Sequence, residues 1–172
     1  MRKSTAALGS SLFFAAAPGV VAGVVPWLLT DWRSGAAGDP DGWMATPIRA
    51  AGGLLLAVSA AVLVHAFARF VREGVGTPAP VAPTGRLVVG GLYRYVRNPM
   101  YLAVVGAVAG QALLLWRPVV LGAYAAGLAA LFAWFVRWYE QPALRRQFGA
   151  EYEAYCAAVP AWRPRTRPYR EP

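Results

Sequence analysis

The sequence predicts an all-α integral membrane protein, a helical bundle with about four transmembrane helices, the last two forming a tight hairpin. Two observations support this fold. Of the 172 residues, 58% are hydrophobic and only 15% are charged, whereas a soluble domain carries about 25% charged residues. The apolar residues are also collected into long runs instead of alternating with polar ones. At this length we expect one membrane domain over residues 1–172.

Four apolar runs are candidate spans, near residues 8–29, 48–71, 100–116 and 119–136. A helix needs about 20 apolar residues to cross a hydrocarbon core of about 30 Å. The first run follows a basic start and could instead be a cleaved signal peptide, although the apolar part of such peptides has only about 7–15 residues. Two prolines inside this run should bend the first helix: Pro18 and Pro26.

The third and fourth runs are separated only by Arg117 and Pro118, which predicts a tight reversal and an antiparallel hairpin. Small residues let membrane helices approach closely. We expect four glycines to serve the hairpin in this way: Gly106, Gly110, Gly122 and Gly127.

A C-terminal cytoplasmic amphipathic helix is predicted after the fourth run, because apolar residues recur there every three or four positions. They are Leu144, Phe148, Tyr152, Tyr155 and Val159. Gly149 can interrupt this helix. The helix either lies at the membrane interface or covers a cytoplasmic pocket.

The basic residues predict both termini in the cytoplasm, because Lys and Arg accumulate on that side. With this orientation 14 of the 17 Lys and Arg lie inside, and only Arg33, Arg49 and Arg117 lie outside. The excess of basic over acidic residues then serves topology and contact with membrane lipids rather than a nucleic acid. We expect the bacterial inner membrane as the location.

Metal chemistry is not expected, because the chain has one cysteine, Cys156, and one histidine, His65. A metal site needs several such ligands close together. His65 lies near the predicted cytoplasmic end of the second run. It either hydrogen-bonds to a neighbouring helix or has a catalytic role.

Residues 87–101 place polar and aromatic side chains directly before the third run. Gly91 permits a close backbone approach. Arg97 and Asn98 precede Pro99, which suits the first turn of a helix, so they lie beside unpaired backbone donors. Such a helix start attracts anions.

This stretch resembles the Gly-x-Tyr-x-x-x-Arg-His-Pro-x-Tyr motif of the isoprenylcysteine carboxyl methyltransferase family, which is related to the phospholipid methyltransferases. A second block is similar to that family's Glu-Glu-x-x-Leu, Phe-Gly-x-x-Tyr and Tyr-x-x-x-Val-Pro pattern. It runs from Glu140 through Phe148, Tyr152 and Tyr155 to Pro160. Two ordered blocks on either side of a short hairpin make the resemblance specific.

The resemblance implies a methyltransferase that uses S-adenosylmethionine and methylates a lipophilic acceptor, with cofactor-binding segments at 87–101 and 137–164. Arg97 would hold the cofactor carboxylate, and Glu140 its ammonium or ribose hydroxyls. Arg97, Asn98, Glu140 and His65 are the candidate catalytic residues. The implied cofactor-binding residues are Val88, Gly91, Tyr93, Arg97, Asn98, Pro99, Tyr101 and Glu140.

The sequence departs from the family pattern at two positions. Asn98 stands where a His is usual, and an amide cannot act as a general base near neutral pH. Gln141 stands where the pattern has its second Glu, which leaves Glu140 as the one acid of the pair.

Two other functions stay open from the sequence. A small membrane transporter is one, although such proteins usually place acidic groups inside their spans, and the four runs contain no Asp or Glu. A non-catalytic membrane scaffold is the other. The sequence determines neither the methyl acceptor nor the oligomeric state.

Overall fold

The computed structural model describes residues 16–35, 43, 45–74 and 85–170, which contain helices and no strand. The all-α prediction is confirmed for this part of the chain. A 3-10 turn at Gly91–Arg94 precedes the third helix, and a π-helical turn at Val136–Glu140 joins the fourth helix to the fifth. The helices are α1 (Ala16–Thr30), α2 (Ala45–Gly74), α3 (Pro99–Leu114), α4 (Pro118–Phe135) and α5 (Gln141–Ala158).

Among the described residues, two helical stretches are long and apolar enough to cross a membrane: Ala45–Arg69 within α2, and the continuous helix Pro118–Ala158, which includes α4 and α5. The helices α1 and α3 are apolar but shorter. The 16 residues of α3 make a helix of about 24 Å. It ends before residue 116, the predicted boundary, because Trp116 adopts φ 48° in the reversal. Residues 8–15 of the first predicted span lie outside the described residues.

Exposed aromatic side chains lie at both ends of the bundle. One group is Trp27, Trp32 and Trp43, and the other is Trp134, Trp138 and Tyr139. Tryptophan and tyrosine concentrate where a membrane meets water. We call the end that holds residues 85–98 and 136–170 the basic end, because most of the arginines lie there.

The helices α2 and α3 pack closely through glycines. A Cβ placed on Gly52 would lie 2.6 Å from the Leu114 nitrogen and 2.8 Å from the Gly110 oxygen, and one on Gly106 would lie 2.5 Å from Ser59 Oγ. The prediction that the glycines serve the α3–α4 hairpin is therefore wrong. Gly106 and Gly110 face α2. The two glycines of α4, Gly122 and Gly127, have no atom of another described element within 4 Å of their Cβ positions.

The hairpin of α3 and α4 instead packs through apolar side chains, with Val108 and Leu121 fully buried between the helices. The helix α1 lies against this hairpin and contains a π-helical turn at Val20–Val24, between its two prolines. Pro26 has no N–H to donate, so backbone carbonyls of the preceding turn have no partner within the helix. Two of them accept side-chain hydrogen bonds, from Gln111 Nε2 to Ala22 O at 2.7 Å and from Tyr124 OH to Val21 O at 2.9 Å.

The amphipathic pattern after α4 forms a helix as predicted, and its apolar face is buried. Tyr152, Tyr155 and Val159 are buried together, with Leu144 and Phe148 packed against them. Gly149 breaks the helical geometry of α5 with φ 52° and ψ −124°, a conformation that favours glycine. After this break, the second half of α5 packs against Leu87 and Val89 of the basic end.

Candidate functional site

The residues that follow α5, 159–170, form a tail that runs along residues 87–101. Three backbone hydrogen bonds fix this contact. Arg97 N donates to Pro160 O at 3.0 Å, Arg165 N donates to Tyr95 O at 2.9 Å, and Tyr169 N donates to Arg94 O at 2.9 Å. The two segments that resemble one family are therefore in direct contact.

Side chains strengthen the same contact. Asn98 is buried, and its Nδ2 donates to Ala161 O at 3.1 Å. Tyr155 OH donates to Tyr93 O at 2.6 Å. Buried donors and acceptors are costly to leave unpaired, so the Asn98 bond holds the tail in one register and the Tyr155 bond holds α5 against the 3-10 turn. The sequence placed Asn98 at a helix start but did not reveal that its amide binds the tail.

A cavity of about 410 Å³ lies where this assembly meets the bundle. Small-molecule sites commonly have about 300–1,000 Å³. The basic end lines it with Tyr93, Arg97, Asn98, Pro99, Met100, Tyr101 and Glu140. The bundle supplies an apolar wall of Ala17, Pro18, Val21, Leu63, Val104, Leu131, Phe132 and Phe135. One cavity thus joins a polar floor to an apolar space between α1 and α4.

Glu140 reaches this cavity from the last position of the π turn. Its Oε2 accepts a hydrogen bond from Tyr101 OH at 3.0 Å, and the Tyr101 ring packs on Phe132 with centroids 4.7 Å apart. Among the described residues no cationic side chain forms an ion pair with it. Burial raises the pKa of the Glu140 carboxyl, and the Tyr101 hydrogen bond partly opposes that rise. The carboxylate would be stabilised by a cationic ligand.

Arg97 supplies the positive charge of the cavity. Its Nη1 donates to Cys156 Sγ at 2.7 Å and to Tyr152 OH at 3.5 Å, so α5 holds the guanidinium in place. Burial raises the pKa of the Tyr152 phenol, which keeps that hydroxyl neutral. The Arg97 Nε is buried and has no hydrogen-bond partner among the described residues. A buried guanidinium donor without a partner is suited to an anionic ligand.

The structure brings most of the predicted site residues together, but not all of them. Val88 packs in a small core with Ala66 and Tyr93, away from the cavity lining. Gly91 has φ 57°, and a Cβ there would lie 3.0 Å from His65 Nε2 and 2.9 Å from Arg69 Cγ. Gly91 and His65 therefore contact one another and do not line the cavity. The tight approach predicted at Gly91 is confirmed.

Sequence reasoning missed the apolar wall and the residues that support the polar floor. Phe132 and Phe135 are three residues apart, which places them on one face of α4. The spacing can be read from the sequence, but it does not identify a pocket wall, because a helix face that contacts lipid is composed of the same apolar residues. Cys156 and Trp162 carried no signal, although one accepts from Arg97 and the other lies 6.4 Å from Tyr101, centroid to centroid.

A family model described as Phospholipid methyltransferase (PEMT) matches residues 47–151. The matched region includes α2, residues 87–101, the hairpin and the first half of α5, so it extends over a helix for which the motif comparison gave no match. No curated protein and no solved structure matches the chain. Since the family model covers more than half of the chain, and the fold is all-helical with membrane-capable helices, this protein belongs to the phospholipid methyltransferase family, a family of membrane methyltransferases.

Proposed function

We propose that the protein is an S-adenosylmethionine-dependent methyltransferase that methylates a lipophilic acceptor at the cytoplasmic face of the membrane. The observation that carries this proposal is the cavity in which Arg97, Glu140 and Tyr101 meet at the junction of residues 87–101 with the tail. A guanidinium, a carboxylate and aromatic rings are the groups that a zwitterionic sulfonium nucleoside requires.

The residues present fit this cofactor. The unpartnered Nε of Arg97 can donate to its carboxylate, and the start of α3 adds unpaired backbone donors nearby. Glu140 can accept from its ammonium or ribose hydroxyls while Tyr101 holds the carboxylate in position. When bound, the cofactor supplies an electrophilic methyl group on a sulfonium sulfur.

The protein's contribution to the reaction is positioning and exclusion of water. Methyl transfer is an in-line displacement, which needs two reactants aligned and no nucleophilic side chain. The apolar wall, with Leu131, Phe132 and Phe135, gives a hydrophobic acceptor a path from the bilayer to the polar floor. His65 lies outside this lining, so a role for it in accepting a proton requires a ligand or a movement that reaches it.

The orientation follows from the cofactor's solubility and from charge. A water-soluble cofactor reaches the cavity from the basic end, and basic residues favour the cytoplasm. We therefore place both termini on the cytoplasmic side of a bacterial inner membrane, with α1 to α4 as four spans. The acceptor class stays open among a carboxylate, an amine and a thiol on a lipophilic molecule.

Isothermal titration with S-adenosylmethionine tests the site. We expect Arg97→Ala and Glu140→Ala to abolish measurable binding. The first removes the cation that faces the cofactor carboxylate, and the second removes the anion that faces its ammonium. Matched controls are Arg146→Ala and Glu151→Ala, which remove exposed charges of α5 that do not line the cavity. Undiminished binding in both site variants would rule the assignment out.

Methyl transfer is tested separately, with deuterated-methyl cofactor and native lipid extract. Mass spectrometry should show a labelled lipid or hydrophobic metabolite with the wild type and none with Glu140→Ala. Cofactor binding without any labelled product would instead support the non-catalytic scaffold.

A further inference from the structure

A second cavity, of about 270 Å³, lies between α2, α3 and the 3-10 turn. Pro99, at the start of α3, lines both cavities. Beyond it the second cavity is lined by Leu102, Ala103 and Gly106, whereas the first cavity uses residues 100, 101 and 104. At 100° per residue these two sets lie on opposite faces of α3. Beyond Pro99, α3 therefore separates a ligand in the second cavity from the first cavity.

The walls of this second cavity are almost entirely apolar. Leu55, Val58 and Val62 of α2 line one side, and Leu92 and Val96 close the basic end. Val58 is 51% exposed, so the cavity opens sideways from the bundle at a level where the surroundings are hydrocarbon. The polar side chains in its lining are Ser59, whose buried hydroxyl packs against Gly106, and Tyr95 at the basic end. Such a space accepts a hydrocarbon chain and rejects a charged or strongly polar group.

The edge of the cavity at the basic end is positively charged. Pro164 of the tail lines the cavity, and its chain neighbours are Arg163, which is exposed, and Arg165. Arg165 N donates to the carbonyl of Tyr95, another lining residue, at 2.9 Å, and the Arg165 side chain donates from Nη1 to Ala158 O at 2.7 Å. The exposed Arg163 is therefore the cation beside Pro164 that a headgroup can reach. Arg69 follows Val62 on α2 by seven residues, which places it on the same face about 10 Å nearer the basic end.

We infer that the second cavity binds one acyl chain of an anionic phospholipid whose phosphate lies at Arg163. Charge complementarity selects this occupant, because the apolar space is lined at the basic end by Pro164, next to the exposed Arg163, and cations near the membrane surface favour anionic headgroups. This lipid is a resident ligand and not the methyl acceptor. It joins α2 and α3 to the same tail that completes the first cavity. The inference does not depend on the proposed function.

Native mass spectrometry of the purified full-length protein tests this site with two probes, dioleoyl phosphatidylglycerol and dioleoyl phosphatidylcholine. We expect one tightly retained lipid, with the anionic probe preferred about fivefold because cations near the membrane surface favour anionic headgroups. Val58→Phe should lower its occupancy about tenfold by filling the mouth of the cavity. Val64→Phe is the matched control, because Val64 is 59% exposed on the same helix and does not line the cavity.

The headgroup contact is tested by Arg163→Gln. We expect this variant to reduce the preference for phosphatidylglycerol to near parity, whereas Arg167→Gln, an exposed arginine of the tail that does not adjoin Pro164, retains it. Equal lipid retention by Val58→Phe and Val64→Phe would overturn the cavity assignment. A wild type without preference between the two probes would overturn the anionic occupant. Thermal unfolding of each variant shows whether a lost lipid reflects a lost fold.

Discussion

The α2–α3 interface and the basic end are held together by different kinds of interaction. Between α2 and α3, glycine backbones touch, with Gly52 and Gly110 so close that each lacks room for a Cβ. At the basic end, hydrogen bonds from the buried Asn98 and Tyr155 join residues 93–98 to the tail and to α5. One region depends on the absence of side chains, and the other on their polar atoms.

This difference follows from where each region lies. Inside a membrane, apolar burial gains little, because lipid tails are as apolar as leucine, and helices associate through close van der Waals packing. At the water interface, directional hydrogen bonds can fix a register that packing alone leaves open. Substitutions in the first region should therefore unfold the bundle, and those in the second should loosen the site while the bundle persists.

The largest effect is expected for Gly52→Ala. The new Cβ would lie within 3 Å of three atoms of α3, two of them backbone, so the helices must separate at a cost of about 3 kcal/mol. The change is measured by unfolding in detergent. Gly53→Ala is the control, because the nearest atom to its Cβ position is Leu114 Cδ1 at 3.9 Å. Equal stability of the two variants would contradict the close packing.

A smaller and local effect is expected for Asn98→Ala. It removes the donor to Ala161 O and leaves a carbonyl unpaired, at a cost of about 2 kcal/mol. Amide exchange at Arg97, Arg165 and Tyr169 should accelerate, because their bonds join the tail to the rest of the basic end. The melting temperature of the bundle should change little. A fall as large as that of Gly52→Ala would show that the two regions are one cooperative unit.

Much of the fold follows from signals that act locally. Pro99 and Pro118 start helices because proline suits the first turn, and both positions are helix starts in the structure. The spacing of Tyr152, Tyr155 and Val159 marked a buried face because amphipathic periodicity survives any tertiary arrangement. The break at Gly149 was likewise predicted, from a glycine inside a periodic pattern.

The sequence could not show which neighbouring helix each apolar helix face packs against. Gly106 and Gly110 were assigned to the hairpin, but they pack on α2, because in a wholly apolar helix no polar face marks the side that meets lipid. The wall residue Phe132 was missed for the same reason. The π turn at Val136–Glu140 also lacks a sequence signature, and it determines which residue of that turn reaches the cavity.

The smallest effect is expected for Tyr101→Phe, which removes one hydrogen bond at the basic end and should change only the pH dependence of cofactor binding. Burial raises the pKa of the Glu140 carboxyl and the Tyr101 hydrogen bond lowers it, so the variant should raise that pKa further. If the ionised form binds the cationic cofactor, affinity declines as pH falls through this pKa, and in the variant the decline begins at a higher pH.

The expected loss is about tenfold in affinity for each unit by which the pKa rises, seen at acidic pH and absent at alkaline pH, where both proteins are ionised. Titration calorimetry at a series of pH values measures it. Tyr139→Phe is the control, since that exposed neighbour of Glu140 stacks on Phe135 and does not line the cavity. If the pH profiles of the wild type, Tyr101→Phe and Tyr139→Phe coincide, the Tyr101 hydrogen bond does not govern ionisation of Glu140. The basic end is then organised by the hydrogen bonds of its tail alone.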